Sequence, residues 1–142
     1  MSAPTPPPEG PSPGRPLRPE RVVGIFVTVV WAALVFAAYG LLAVLLDRDP
    51  IELPVGPFYG ILALALAALV VYLGIQLTTP SRSPWLGALG TGAAVYLVIV
   101  VAAGIVDFAL AVAQALSPFV LVASLLAAAT VVSVWVVFAR RR

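Results

Sequence analysis

The sequence predicts an all-α membrane protein, a bundle of four transmembrane helices that form two helical hairpins. Hydrophobic residues make up 62% of the 142 residues and charged residues 10%, whereas soluble domains average roughly 45–50% and about 25%. Residues 86–139 form a run of 54 positions with one charge, Asp107. A single span needs about 20 apolar residues, so this run must fold back on itself within the bilayer. The first half of the chain follows a looser version of the same pattern.

The chain divides into a predicted disordered tail, residues 1–21, and one transmembrane domain, residues 22–142. Eight of the fourteen prolines lie in the first 20 residues. The segment has too few bulky apolar side chains for their burial to offset the entropy lost on ordering. Prolines and arginines there each recur every third residue, at Pro13, Pro16, Pro19, Arg15, Arg18 and Arg21. Polyproline II has the same period. The tail is therefore either a docking peptide for a partner or lipid, or a solvated segment whose arginines set orientation.

Four runs are long and apolar enough to cross a bilayer, with polar or proline-rich connections between them. The predicted spans are residues 22–46, 58–77, 85–106 and 118–139. The first exceeds the 7–15-residue apolar core of a signal peptide, so we expect it to be retained. Ser83-Pro84 and Ser117-Pro118 are good helix starts, because serine can cap free N–H groups and proline is favoured at the first helical position.

The segment between the third and fourth spans has two interpretations. Residues 107–116 are apolar and helix-favouring except at Asp107 and Gln114. If the segment is a short interfacial helix, Asp107 lies about 18 Å from the middle of the third span, at the interface. If it extends the third span, Asp107 lies about 10 Å from the middle. An ionisable side chain at such a depth is costly and usually functional.

Arginine placement predicts that both termini lie in the cytoplasm. With four spans, seven of the eight arginines fall on the side of the termini, and Arg48 alone falls on the other. Basic residues in short loops favour the cytoplasmic side. The topology-determining residues are Arg15, Arg18, Arg21, Arg82, Arg140, Arg141 and Arg142. We therefore expect a multi-pass membrane protein with both termini on the cytoplasmic side.

The composition lacks several of the side chains that enzymes commonly use for catalysis. The chain has no Cys, no His and no Lys, so it lacks a thiolate nucleophile, an imidazole base and an amine for a Schiff base. We expect no enzymatic activity, no catalytic or metal-binding residue and no cofactor. The expected partners are the lipid bilayer and either other membrane proteins or a second copy of the chain, and we expect no nucleic acid.

The leading functional hypothesis is a non-enzymatic accessory or scaffold protein that acts through helix–helix contacts. Small residues recur at four-residue spacing, which lets helix backbones approach closely in lipid. The pairs are Ala33–Ala37, Ala63–Ala67, Ala88–Gly92, Gly90–Ala94, Ala123–Ala127 and Ala129–Ser133. The sequence does not separate the pairs that pack internally from those that face a partner.

The alternative is a small oligomeric transporter or channel, with Asp107, Gln114 and Tyr96 as the polar elements of its pathway. A possible duplication favours it, because Asp47 and Asp107 are 60 residues apart and each is followed by a Pro-Phe pair and a span. Parallel repeats of this kind occur in some transporters.

Four short spans, a proline-rich start, arginine without lysine and an arginine-rich end resemble the small uncharacterised four-pass membrane proteins of high-GC actinobacteria. The resemblance covers the whole chain, rests on composition and layout, and implies residence in the plasma membrane without implying an activity. Small multidrug transporters also have four short spans, but they carry a glutamate in the first span, and residues 22–46 contain no acid.

Overall fold

The computed structural model describes residues 19–51, 56, 58–79 and 83–140. Its helices are α1 (Pro19–Leu46), α2 (Phe58–Thr78), α3 (Pro84–Val106), α4 (Phe108–Ala115) and α5 (Pro118–Ala139). The predicted all-α, four-span bundle is confirmed, because α1, α2, α3 and α5 are each long and apolar enough to cross a membrane. The predicted spans agree with these helices to within three residues at every end.

Helix α1 begins inside the segment that was predicted as tail. The prediction placed residues 1–21 outside the first span, but α1 starts at Pro19. Proline is tolerated there because its missing N–H would have no partner in the first turn. Residues 1–18 lie outside the described residues, as do Arg82, Arg141 and Arg142. Arg21 and Arg140 are both exposed.

Helix α1 ends in a left-handed residue. Asp47 has a φ of 49°, and the Arg48 N–H donates to the Ala43 carbonyl over 3.3 Å. This is the six-residue hydrogen bond of a Schellman motif, in which aspartate tolerates the left-handed conformation better than most residues. Asp107, which the possible duplication would pair with Asp47, is instead extended, with a φ of −159°. The two halves therefore differ at these aspartates.

The four long helices form a bundle with a four-sided cross-section. Helix α2 contacts α1 and α3, and α5 also contacts α1 and α3. Helices α2 and α5 contact each other across the bundle, whereas α1 and α3 share no contact among the described residues. Residues 47–51 and the short helix α4 lie opposite to the start of α1 and the end of α5, at what we call the distal end.

Helix α1 is the least buried of the four. Only 11% of its most apolar stretch is buried, against 28% in each of α2, α3 and α5. Its contribution to the core is concentrated in Trp31 and Val35, which pack with residues of the other long helices. Most of the remaining α1 surface therefore faces the surroundings of the bundle, which in a membrane are lipid.

The small-residue pairs separate into two groups. The buried pairs are Ala63–Ala67, Ala88–Gly92 and Ala123–Ala127, and the exposed pairs are Ala33–Ala37 and Ala129–Ser133. The pair Gly90–Ala94 is exposed at Gly90 and half-buried at Ala94. The first group lies at the buried contacts of α2, α3 and α5, and the second lies on the exposed surface of the bundle.

Hydroxyl groups within the spans bond to the backbones of their own helices. Each donates to the carbonyl four residues earlier, over 2.7–2.8 Å. The donors are Thr28, Thr91, Ser124, Thr130 and Ser133. These bonds satisfy hydroxyls that would otherwise be unpaired in lipid.

Candidate functional site

Asp107 is the N-cap of the separate helix α4. Helix α3 ends at Val106, and the Asp107 carboxylate accepts hydrogen bonds from the N–H groups of Ala109 at 2.6 Å and Leu110 at 3.3 Å. The side chain is exposed. Of the two interpretations of residues 107–116, the structure has the short separate helix. The reason is local: an aspartate carboxylate satisfies the free N–H groups of a new helix better than it fits a continuing one.

Leu110 holds α4 against the rest of the bundle. It is 1% exposed and packs in a buried cluster with Tyr59 and Ala63 of α2 and Ala103 of α3. Phe108 and Val112 of α4 are exposed, as is Leu116 just after the helix. Leu110 is therefore the buried anchor of the first half of α4.

Gln114 and Tyr96 tie the other end of α4 to its neighbours. The Gln114 Nε2 donates to the Pro50 carbonyl over 3.0 Å, which joins α4 to the connection after α1. The Tyr96 hydroxyl donates to the Ala115 carbonyl over 2.7 Å, which joins α3 to α4. Gln114 is buried, and Tyr96 is half-buried.

The three predicted polar residues are therefore not gathered at one point. Tyr96 and Gln114 meet the last turn of α4, whereas Asp107 precedes its first turn, about 10 Å away along the helix axis. Each of the three makes a hydrogen bond with backbone atoms. Within the described ranges, no three acidic side chains are grouped in a way that could hold a metal ion.

A cavity of about 800 Å³ lies between α1 and α2 in the distal half of the bundle. Residues 31–43 of α1 and 59–64 of α2 contribute its two long walls. Pro50, Ile51 and Gly56 line it at the distal end, and α3, α4 and α5 each contribute one residue. Gln114 is the only one of the three predicted polar residues that lines it. A volume of this size is typical of a small-molecule site.

Among the described residues that line this cavity, the polar side chains are few and uncharged. The Tyr59 hydroxyl is 3.5 Å from the Ile99 carbonyl oxygen. The Tyr39 ring packs edge-on against Phe119, with centroids 5.3 Å apart, and its hydroxyl has no hydrogen bond among the described residues. The indole N–H of Trp31 is buried and also lacks a partner there.

Sequence reasoning missed this cavity and the aromatic residues that line it. One signal was present: Trp31 lies near the middle of the first span, whereas tryptophans of membrane proteins concentrate at the two interfaces. A tryptophan at this depth indicates a packing or binding role. Nothing in the sequence pairs it with Tyr39 or Tyr59.

Comparison of the chain with protein-family models, with curated proteins and with solved structures gave no match. The geometry of the described residues is therefore the basis for assigning a function.

Proposed function

We propose that this chain is a non-enzymatic protein of a bacterial plasma membrane that acts as an accessory or scaffold subunit through helix–helix contacts. Both termini lie in the cytoplasm, in accordance with the distribution of arginines, and the location in the plasma membrane accords with the resemblance to the actinobacterial four-pass proteins. The observation that carries the proposal is the low burial of α1, which is 11% against 28% for each of the other spans.

The two sides of α1 differ in what they contact. Gly24, Thr28, Trp31 and Val35 are buried against the bundle. The opposite side, which we call the outer face of α1, consists of exposed residues: Phe26, Val30, Ala33, Ala37, Leu41 and Val44. Ala33 and Ala37 leave a shallow notch between larger neighbours, into which a helix of another protein or of a second copy can pack closely.

The polar residues support a structural role more than transport. Asp107, Gln114 and Tyr96 bond to backbone atoms that shape the distal end. None of the described residues that line the large cavity is charged, whereas ionisable residues within spans commonly mark ion pathways. The alternative of a small oligomeric transporter that uses Asp107 is therefore the weaker one.

The proposal is tested by purification in mild detergent and mass spectrometry of co-purifying proteins. The parent is compared with a variant that carries Ala33→Leu and Ala37→Leu, which fills the notch. Ala93→Leu, on an exposed side of α3, is the matched control. We expect the parent and the control to recover the same partner, or a dimer, and the notch variant to lose it. Recovery of the parent as a monomer without a partner would overturn the proposal.

A further inference from the structure

The cavity between α1 and α2 is partly open to the hydrocarbon phase of a membrane. Phe36 and Ile61, which lie at its border, are 66% and 68% exposed. Helix α1 has α2 and α5 as its neighbours among the long helices, so no spanning helix of the described chain covers this side. A ligand from the lipid phase can enter without passing through water.

The depth of the cavity matches one leaflet of the bilayer. Its lining on α1 runs from Trp31 to Ala43, which is about 18 Å along a helix axis. The hydrocarbon core is about 30 Å thick, so this depth corresponds to slightly more than half. Trp31 lies near the middle of the span, at the inner end of the cavity.

The distal end of the cavity excludes a spanning helix as its occupant. Pro50, Ile51 and Gly56 line the cavity there, and the Gln114 amide holds the Pro50 carbonyl in place. A partner helix would need to continue through this end to cross the membrane. A flexible hydrocarbon chain that belongs to one leaflet has no such requirement.

The polar groups lie toward the distal end, where a lipid head group would lie. Gln114 is 6% exposed, and among the described residues its side-chain oxygen has no hydrogen bond, since only its Nε2 is engaged. The Tyr39 hydroxyl, on the wall formed by α1, is likewise without a partner in the described part of the chain. Together they offer an acceptor and a donor. Among the described residues no charged side chain lines the cavity, so these groups suit an uncharged, hydroxyl-bearing head.

We propose that this cavity binds one hydrocarbon chain of a neutral lipid from the distal leaflet, with the hydroxyl group of the lipid at Gln114 and Tyr39. Glycerides and long-chain alcohols share this chemistry, and the experiment below distinguishes them. None of the residues that define the outer face of α1 lines the cavity, so the proposal does not rest on the proposed scaffold role.

Gly40 provides a variant that fills the cavity without disturbing the fold. It lines the cavity, and a Cβ placed on it would meet no atom within 4 Å. Gly90 of α3 is the matched control, because it is also exposed, also has no atom within 4 Å of a Cβ, and does not line the cavity. Gly40→Phe and Gly90→Phe should therefore have similar melting temperatures.

The test is photo-crosslinking of the purified full chain in detergent. The probes are a monoacylglycerol, a long-chain alcohol and a fatty acid, each with a diazirine at the end of the same alkyl chain. We expect the two neutral probes to label residues near Trp31 more than the fatty acid does, and the stronger of the two identifies the class of lipid. Gly40→Phe should reduce this labelling several-fold, and Gly90→Phe should leave it unchanged.

The polar end is tested by Tyr39→Phe combined with Gln114→Leu. This variant should still be labelled by a probe with a plain alkyl chain but should lose the preference for neutral over anionic probes. Labelling spread evenly over the lipid-facing surface, equal labelling by the fatty acid, or labelling that Gly40→Phe does not reduce would each overturn the proposal.

Discussion

The Thr91 side chain occupies the space where a Cβ on Gly74 would lie. The same relationship recurs at the end of α2, where the Thr78 side chain fills the corresponding space at Gly87 of α3. Each of these two helices, α2 and α3, thus places a threonine side chain against a glycine of the other helix. Since lipid provides no hydrophobic driving force between helices, such close backbone approach is a main source of their association. These contacts join the first hairpin to the second.

Gly74→Ala is expected to destabilise the bundle. The added methyl group would overlap the Thr91 side chain, so α2 and α3 must separate, at a cost of about 1–3 kcal/mol. The measurement is reversible unfolding in mixed detergent micelles. Gly90→Ala, which meets no atom within 4 Å, is the control and should change stability little.

A compensating variant makes this prediction specific. Thr91→Gly removes the side chain that the new methyl group would meet, so the combination with Gly74→Ala should lose less stability than the sum of the two single changes. Strict additivity would show that the contact does not limit the approach of α2 to α3.

Asp107→Ala is expected to loosen α4 without unfolding the four spans. The carboxylate caps the N–H groups of Ala109 and Leu110, and loss of an N-cap costs about 0.5–2 kcal/mol. Hydrogen exchange at these two amides should therefore become roughly 2- to 30-fold faster. Asp107→Asn keeps a capping oxygen and should behave like the parent.

The same asparagine variant tests the transport alternative. Proton or solute flux in liposomes is compared for the parent and Asp107→Asn. We expect no difference, because the capping role does not need the charge. A flux that is present in the parent and abolished by asparagine would instead favour a carrier that uses Asp107.

Tyr96→Phe is expected to weaken the attachment of α4 to α3. The lost hydrogen bond to the Ala115 carbonyl is 2.7 Å long, and such a bond contributes about 0.5–1.5 kcal/mol. Tyr72→Phe is the matched control, since the Tyr72 hydroxyl has no hydrogen bond among the described residues. Thermal unfolding should separate the two variants, and equal losses would argue against a role for this bond.

The orientation is tested by labelling single cysteines in intact cells with a membrane-impermeant thiol reagent. The chain has no native Cys. We expect Ile51→Cys to react, whereas Ser12→Cys and Ser81→Cys should react only after the membrane is opened. Labelling of Ser81→Cys from outside would contradict both the cytoplasmic placement of the termini and the assignment of arginines to the two sides.

The sequence by itself determined the number, bounds and chemistry of the spans. Long uncharged runs have no stable alternative to helices in a bilayer, because every backbone polar group must be satisfied within the segment. The start of α5 at Ser117-Pro118 depends only on neighbouring residues. The Ser117 hydroxyl accepts a hydrogen bond from the Phe119 N–H over 3.3 Å. The bonds of the buried hydroxyl groups to their own helices are equally local.

Only the tertiary structure decided which side of each span faces its neighbours. The spans are apolar all round, so they lack the periodicity that marks the buried side of a helix in a soluble protein. Ala33–Ala37 and Ala63–Ala67 have the same spacing, yet the first pair is exposed and the second is buried. The cavity is likewise invisible in the sequence, because it depends on how far α1 stands from α2, and contacts among residues distant in the chain set that separation.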